Sequence, residues 1–200
     1  MSMRVSTETG VTFNPVFLSI LEDIQGGVTI ATTELPTNIY RLPRGTLLST
    51  TATTKVYQPV KTGKSTSTQA AATKIYLTQG VSPLLFKTGE FIARVGGTTG
   101  STITAIATST NTVGITTSHA IGALTTSSQV MEVAAAGATL KKYTASAILK
   151  DTVTVREDDG TTLNNVFGSA VVRGSVRQSA LPYSVEANDK TGLTDRLRFE

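Results

Sequence analysis

The chain has 200 residues, of which 39% are hydrophobic, 6% aromatic and 16% charged, with a formal net charge of +4. That length supports one ordinary domain, and so small a net charge argues for a folded chain rather than a disordered one. The absence of cysteine and the single histidine, His119, exclude disulfide scaffolds, thiolate metal centres, cysteine nucleophiles and any site needing two imidazoles.

Threonine and serine fill about a quarter of the chain, with threonine well ahead, a composition suited to half-wet β-structure. No apolar run is long enough for a transmembrane helix, and the start Met1-Ser2-Met3-Arg4 leads into no apolar stretch of the signal-peptide kind. Residues 1–13 read as a polar arm. Asn14 then suits a helix cap, Pro15 the first helical position, and Phe17, Ile20, Leu21 and Ile24 recur at helical spacing before Gly26-Gly27. One short N-terminal helix is therefore expected there, its apolar stripe serving the core or a partner contact.

After Gly27 the period changes. Val28-Thr29-Ile30 alternates, and strand candidates follow at 46–49, 54–59, 73–77, 91–95, 101–107, 113–116 and 130–134, separated by turn signals. Residues 153–156 and 161–167 flank Glu157-Asp158-Asp159-Gly160 as a hairpin, and another strand is expected at 170–177. The expected fold class is mainly β: a compact β-sandwich or small β-barrel domain with one short N-terminal helix and extended termini. Residues 1–40 form the arm with its helix, 41–183 the β-rich domain, and 184–200 a C-terminal tail.

Charge is unevenly placed. Between Arg41 and Arg94 eight Lys/Arg face one acid, Glu90, whereas from Gly96 to Leu140 the only formal charge is Glu132. The basic segment fits an acidic protein surface, and Lys55, Lys61 and Lys64 are its candidate contact residues. Sparse aromatics, Tyr57, Tyr76, Phe86 and Phe91, argue against a nucleic-acid partner.

Motifs that carry chemistry are weak. Gly63-Lys64-Ser65-Thr66 imitates the end of a phosphate-binding loop, but Gln58 stands where its first glycine belongs and Pro59 interrupts it. Ser118-His119 is the only adjacent nucleophile and base, and the nearest acid in sequence is Glu132. Asp158-Asp159-Gly160 lacks the alternating ligands of a calcium loop and reads as a turn. No catalytic, cofactor-binding or metal site is expected, and the chain is not read as an enzyme.

Several phrases taken together carry a resemblance. Leu42-Pro43-Arg44-Gly45-Thr46-Leu47-Leu48 with Tyr57-Gln58-Pro59-Val60-Lys61-Thr62, then Phe86-Lys87-Thr88-Gly89-Glu90-Phe91-Ile92, resemble segments of head decoration and head fibre proteins of tailed phages. Thr88 and Glu90 depart from that pattern. Val172-Arg173-Gly174-Ser175-Val176-Arg177 and Ser179-Ala180-Leu181-Pro182-Tyr183 are similar to the same group's closing phrase. The nearest likeness is to auxiliary capsid or head fibre proteins of phages of Bacteroidetes, crAss-like phages included, over residues 40–183. The resemblance implies a non-enzymatic virion protein, made in the host cytoplasm and docked on the capsid exterior. Its implied partners are the major capsid protein, its own copies as a homotrimer and other head fibre proteins, with 141–183 as a candidate docking subregion. No membrane partner is implied. The rival readings are a fibre or adhesin base presenting a receptor- or polysaccharide-binding tip, a polysaccharide-cleaving virion protein, and a nucleic-acid-binding protein.

Overall fold

The computed structural model describes residues 15–200 apart from 52, 53, 80, 81, 158 and 194, and the side chains of Thr51, Thr54 and Lys55 are also outside the description. The chain is mainly β. In order it runs β1 (Phe17–Asp23), β2 (Val28–Ile30), β3 (Arg41–Leu42), β4 (Leu47–Thr51), β5 (Thr54–Pro59), β6 (Thr62–Lys64), β7 (Lys74–Thr78) and β8 (Phe91–Arg94). There follow β9 (Gly100–Thr108), β10 (Thr112–Thr117), β11 (Gln129–Val133), β12 (Ala147–Leu149), β13 (Val153–Thr154), β14 (Val166–Gly168) and β15 (Ala170–Val176). A short helix α1 (Ala187–Leu193) and β16 (Leu197–Phe199) close it.

The first sheet has the order β1-β15-β12-β4-β5-β2-β14, with β16 added in parallel on β15. Its middle is buried on both faces. Leu48, Ala147, Leu149 and Ala170 belong to one hydrophobic cluster, while their chain neighbours Leu47, Ile148 and Val171 belong to another. The two-residue period of a strand produces this division, sending successive side chains to opposite faces. The second sheet has the order β6-β11-β8-β9-β10-β7. It curls until its end strands approach, Ser65 bridging to Leu77, around Ile75, Leu77, Ile92, Ile103, Ile115 and Val130. β3 and β13 form a separate two-stranded pair.

The strands expected from 46 to 134 and at 170–177 are present within a residue or two of their expected ends. The hairpin around 157–161 reduces to a bridged turn, with Arg156 opposite Thr162, and Asp158 lies outside the described residues.

The N-terminal helix is absent. Phe17–Asp23 is an edge strand, antiparallel to β15 with three irregularities of register. Leu18 and Ile20 are each 40% exposed and Leu21 is 73% exposed, so the apolar stripe is not a buried one. A helix of this length is marginal alone, whereas the open edge of β15 offers a row of backbone partners. Gly174 permits the approach: a Cβ there would run into the Ser19 carbonyl. Gly26-Gly27 turns the chain into β2 instead of capping a helix. Gly27 has φ +73°, and its amide donates to the Ile24 carbonyl at 3.0 Å.

The C-terminus is not an extended tail. α1 buries Asp189 and Leu193, and β16 pairs with Gly174, Ser175 and Val176. Arg4 and the rest of residues 1–14, including the expected cap Asn14, lie outside the described residues.

Candidate functional site

Between β5 and β6 the chain leaves the first sheet for the second, and Lys61 sits on that crossing. Val60 just before it and Thr62 just after it are buried as well, so the crossing runs inside the protein and carries Lys61 with it; the residue is 1% exposed. Its ammonium pairs with Glu90, lies 3.9 Å from Glu132 Oε2 and donates to the Glu34 carbonyl at 2.5 Å. Glu90 stands at the end of the turn before β8, where its Oε2 accepts the Lys87 amide at 2.9 Å. Glu132 comes from β11, and its Oε1 accepts from Lys142 Nζ at 2.8 Å. Lys142 also donates to Glu34 Oε2 at 3.1 Å.

The result is three carboxylates interleaved with two ammonium groups, joining the loop after β2, the sheet crossing, β8 and β11. Oxygens of Glu34, Glu90 and Glu132 lie within 4.8 Å of one another, close enough to share a cation. Lys61 and Lys142 already hold those oxygens and balance most of the charge, so a metal would have to displace the buried Lys61 ammonium and the partly buried one of Lys142. The donor set is that of an ion-pair clasp. Burial pushes the Glu90 carboxyl up from its ordinary value, against the pull of Lys61. Burial also acts to raise Glu34, but there the hydrogen bond and charge of Lys142 prevail, helped by Lys61 and Lys87, and its carboxyl ends below the ordinary value. Burial alone would lower Lys142; its bonds to Glu132 and Glu34 raise it instead.

The three expected contact lysines do not form one surface. Lys61 is a buried clasp residue and is withdrawn as a surface contact, because its charge is spent on Glu90 and Glu132. Lys64 is exposed on β6. Lys55 lies on β5 with its side chain outside the described residues. The sequence did carry a signal for the clasp. Glu90, the lone acid of the basic segment, and Glu132, the lone charge of the next stretch, are both among its buried members. Isolated acids in such segments are the ones without solvent-facing company.

The weak motifs resolve into local structure. Gly63 and Lys64 lie in β6, paired with Val130 and Gln129, so the loop of free amides that phosphate needs is replaced by a ladder. Ser118 Oγ is 3.1 Å from His119 Nδ1, but no carboxylate orients the ring among the described residues. Instead Ser101 Oγ accepts the His119 amide at 2.8 Å. Asp159 Oδ1 accepts the Thr161 amide at 2.8 Å, a turn contact.

A cleft of about 730 Å³ lies between the loops around Thr32–Asn38, Pro83–Thr88 and Arg156–Asn164. Two buried polar atoms of its lining residues, Arg156 Nε and Gln79 Oε1, lack a hydrogen-bond partner among the described residues.

No protein-family model, curated protein or solved structure matches the chain.

Proposed function

We propose that the chain is a structural protein of a tailed-phage particle that binds the outside of the capsid and stabilises or decorates the shell. What supports this reading is the order in which the phrases that carry the resemblance follow one another along residues 40–183. Gly45, of the first phrase, stands against Leu181 and Pro182 of the last. The Tyr183 hydroxyl donates at 3.2 Å to the Pro83 carbonyl, three residues before Phe86. These contacts join segments 100 residues or more apart in the chain. The six-stranded sheet, with its ends meeting at Ser65 and Leu77, fits the small-barrel reading of the fold.

In this reading the partners are the major capsid protein and further copies of the chain, arranged as a homotrimer. Lys64 remains a contact residue, and Lys74, exposed on β7, joins it. Many weak attachments on a repeating shell give retention that one attachment would not. The test is reloading of purified particles stripped of this protein. Recombinant chain should return to the shell, with density on its outer surface in a cryo-EM reconstruction. The double variant Lys64→Glu/Lys74→Glu should return more weakly, as should wild type at raised salt, since exposed charges are screened within about 8–10 Å. Absence of the chain from purified particles would overturn the proposal.

The cleft favours a second reading, a fibre base or adhesin that holds a glycan. Asn38, Thr88 and Asn164, exposed residues of its lining, would supply hydrogen bonds to hydroxyls there. Glycan-array binding that Asn38→Ala/Asn164→Ala abolishes would select this reading.

A further inference from the structure

A second buried charge cluster stands apart from the clasp. Lys141 and Lys142 are adjacent but turn to different partners across a bend in the chain. Lys142 joins the clasp, whereas Lys141 turns to α1, its side chain 6% exposed. There its Nζ meets the carboxylate of Asp189 and lies 3.6 Å from Glu186 Oε2. Asp189 and Glu186 are both fully buried. Asp189 Oδ1 accepts the Ala145 amide at 3.2 Å, which fixes the carboxyl plane. Neither oxygen of Glu186 has a hydrogen-bond partner among the described residues. Ala145, Val185 and Leu193, which flank the cluster along the chain, belong to an apolar cluster of the core.

A buried carboxylate without a donor is costly, and a simple ion pair between Lys141 and Asp189 gives no reason to keep one. The clasp differs here, since each of its carboxylates holds at least one hydrogen-bond donor: Glu90 from Lys61 and the Lys87 amide, Glu132 and Glu34 from Lys142. A lysine and an aspartate in contact away from water, beside a carboxylate with free lone pairs, are the reactants and the proton carrier of amide formation.

We propose that Lys141 Nζ and Asp189 Cγ become joined by an amide bond, with Glu186 carrying the proton. In dry surroundings the ammonium–carboxylate pair converts by proton transfer to an amine and a carboxylic acid. The Nζ lone pair forms the new bond to Cγ. Glu186 takes a proton from the nitrogen and returns it to the departing hydroxyl as the carbon–oxygen bond breaks. The ammonium and carboxylate are consumed, one amide and one water are produced, and Glu186 ends as it began. Nothing is oxidised or reduced, and no co-reactant is required. The bond would hold α1 and β16 to the segment between β11 and β12. Both elements need it, since a seven-residue helix and a three-residue parallel strand have little stability of their own.

The proposal does not rest on the virion reading and is tested on the full chain alone. Intact mass spectrometry after complete denaturation should find the folded-and-aged protein lighter by one water, with fragmentation placing Lys141 and Asp189 in one branched peptide. Asp189→Ala should have its full mass. Asp189→Asn should restore the branch with loss of ammonia instead of water. Glu186→Gln, with folding verified by circular dichroism, should close the bond more slowly by roughly 10²-fold or more. A wild-type chain at full mass overturns the proposal. So does a water lost elsewhere, for instance as a succinimide at Asp159-Gly160. If Glu186→Gln does not fold, the wild-type and Asp189→Asn masses decide the bond; if it folds and closes at the wild-type rate, Glu186 is not the carrier.

Discussion

Lys61 and Glu90 form an ion pair inside the protein at the point where the chain crosses from one sheet to the other, with the two side chains 0% and 6% exposed. The pair links the start of β6 to the start of β8, and Glu132 and Lys142 extend it to β11 and to the loop after β2. Such a cluster contributes little as net attraction, because desolvation offsets the Coulomb gain. Its effect is geometric, since any arrangement that separates these segments strands a buried charge.

Removing one partner should therefore be worse than removing two. Lys61→Met leaves Glu90 and Glu132 without their shared cation and should cost about 3–5 kcal/mol in urea unfolding. Lys61→Met/Glu90→Leu should recover most of that loss. A double variant no more stable than the single one would contradict the clasp.

Glu34 and Glu90 should respond to pH in opposite senses. The Glu34 carboxyl is held below the ordinary 4.5, so its stabilisation is complete above that value and is lost as pH falls through the lowered one. The penalty of Glu34→Gln, no more than about 1 kcal/mol for a pair that solvent still reaches, should fade on acidification. Glu90 is raised above 4.5, so its favourable contribution is present below 4.5 and is lost as pH rises through the raised value. Glu90→Gln should gain on wild type over that interval. Melting temperatures of the three proteins across the carboxylate range would show the two trends.

The apolar residues of β1 and β4 should separate cleanly in a stability assay. Leu48, fully buried between strands, should cost about 2–5 kcal/mol as Leu48→Ala. Leu21→Ala should change stability by no more than about 0.5 kcal/mol in the isolated protein, because the side chain is 73% exposed. A large loss at Leu21 would restore the helix reading.

Gly174→Ala should detach β1 selectively. The added methyl collides with the Ser19 carbonyl of the paired strand. We expect a loss of about 1–3 kcal/mol and hydrogen-exchange protection lost at 17–23 but retained in β4 and β5.

The sequence by itself determined the β class and most of the second sheet. β-Branched residues alternate there between glycine and polar turns, as in Thr112–Thr117, so local chemistry and burial agree. It also exposed the isolated acids Glu90 and Glu132, although not their partners. Only the tertiary structure decided the rest. Phe17, Ile20, Leu21 and Ile24 have helical spacing, yet the open edge of β15 and the bare Gly174 make a strand of that segment. Lys61 reads as one more cation in a basic run, and its burial follows from where Glu90 and Glu132 arrive on other strands. Lys141, Glu186 and Asp189 are likewise 48 residues apart at their extremes and meet only when α1 docks. Local propensity acts over a few residues, whereas the pairing of charges and edges depends on which distant segments the fold brings together.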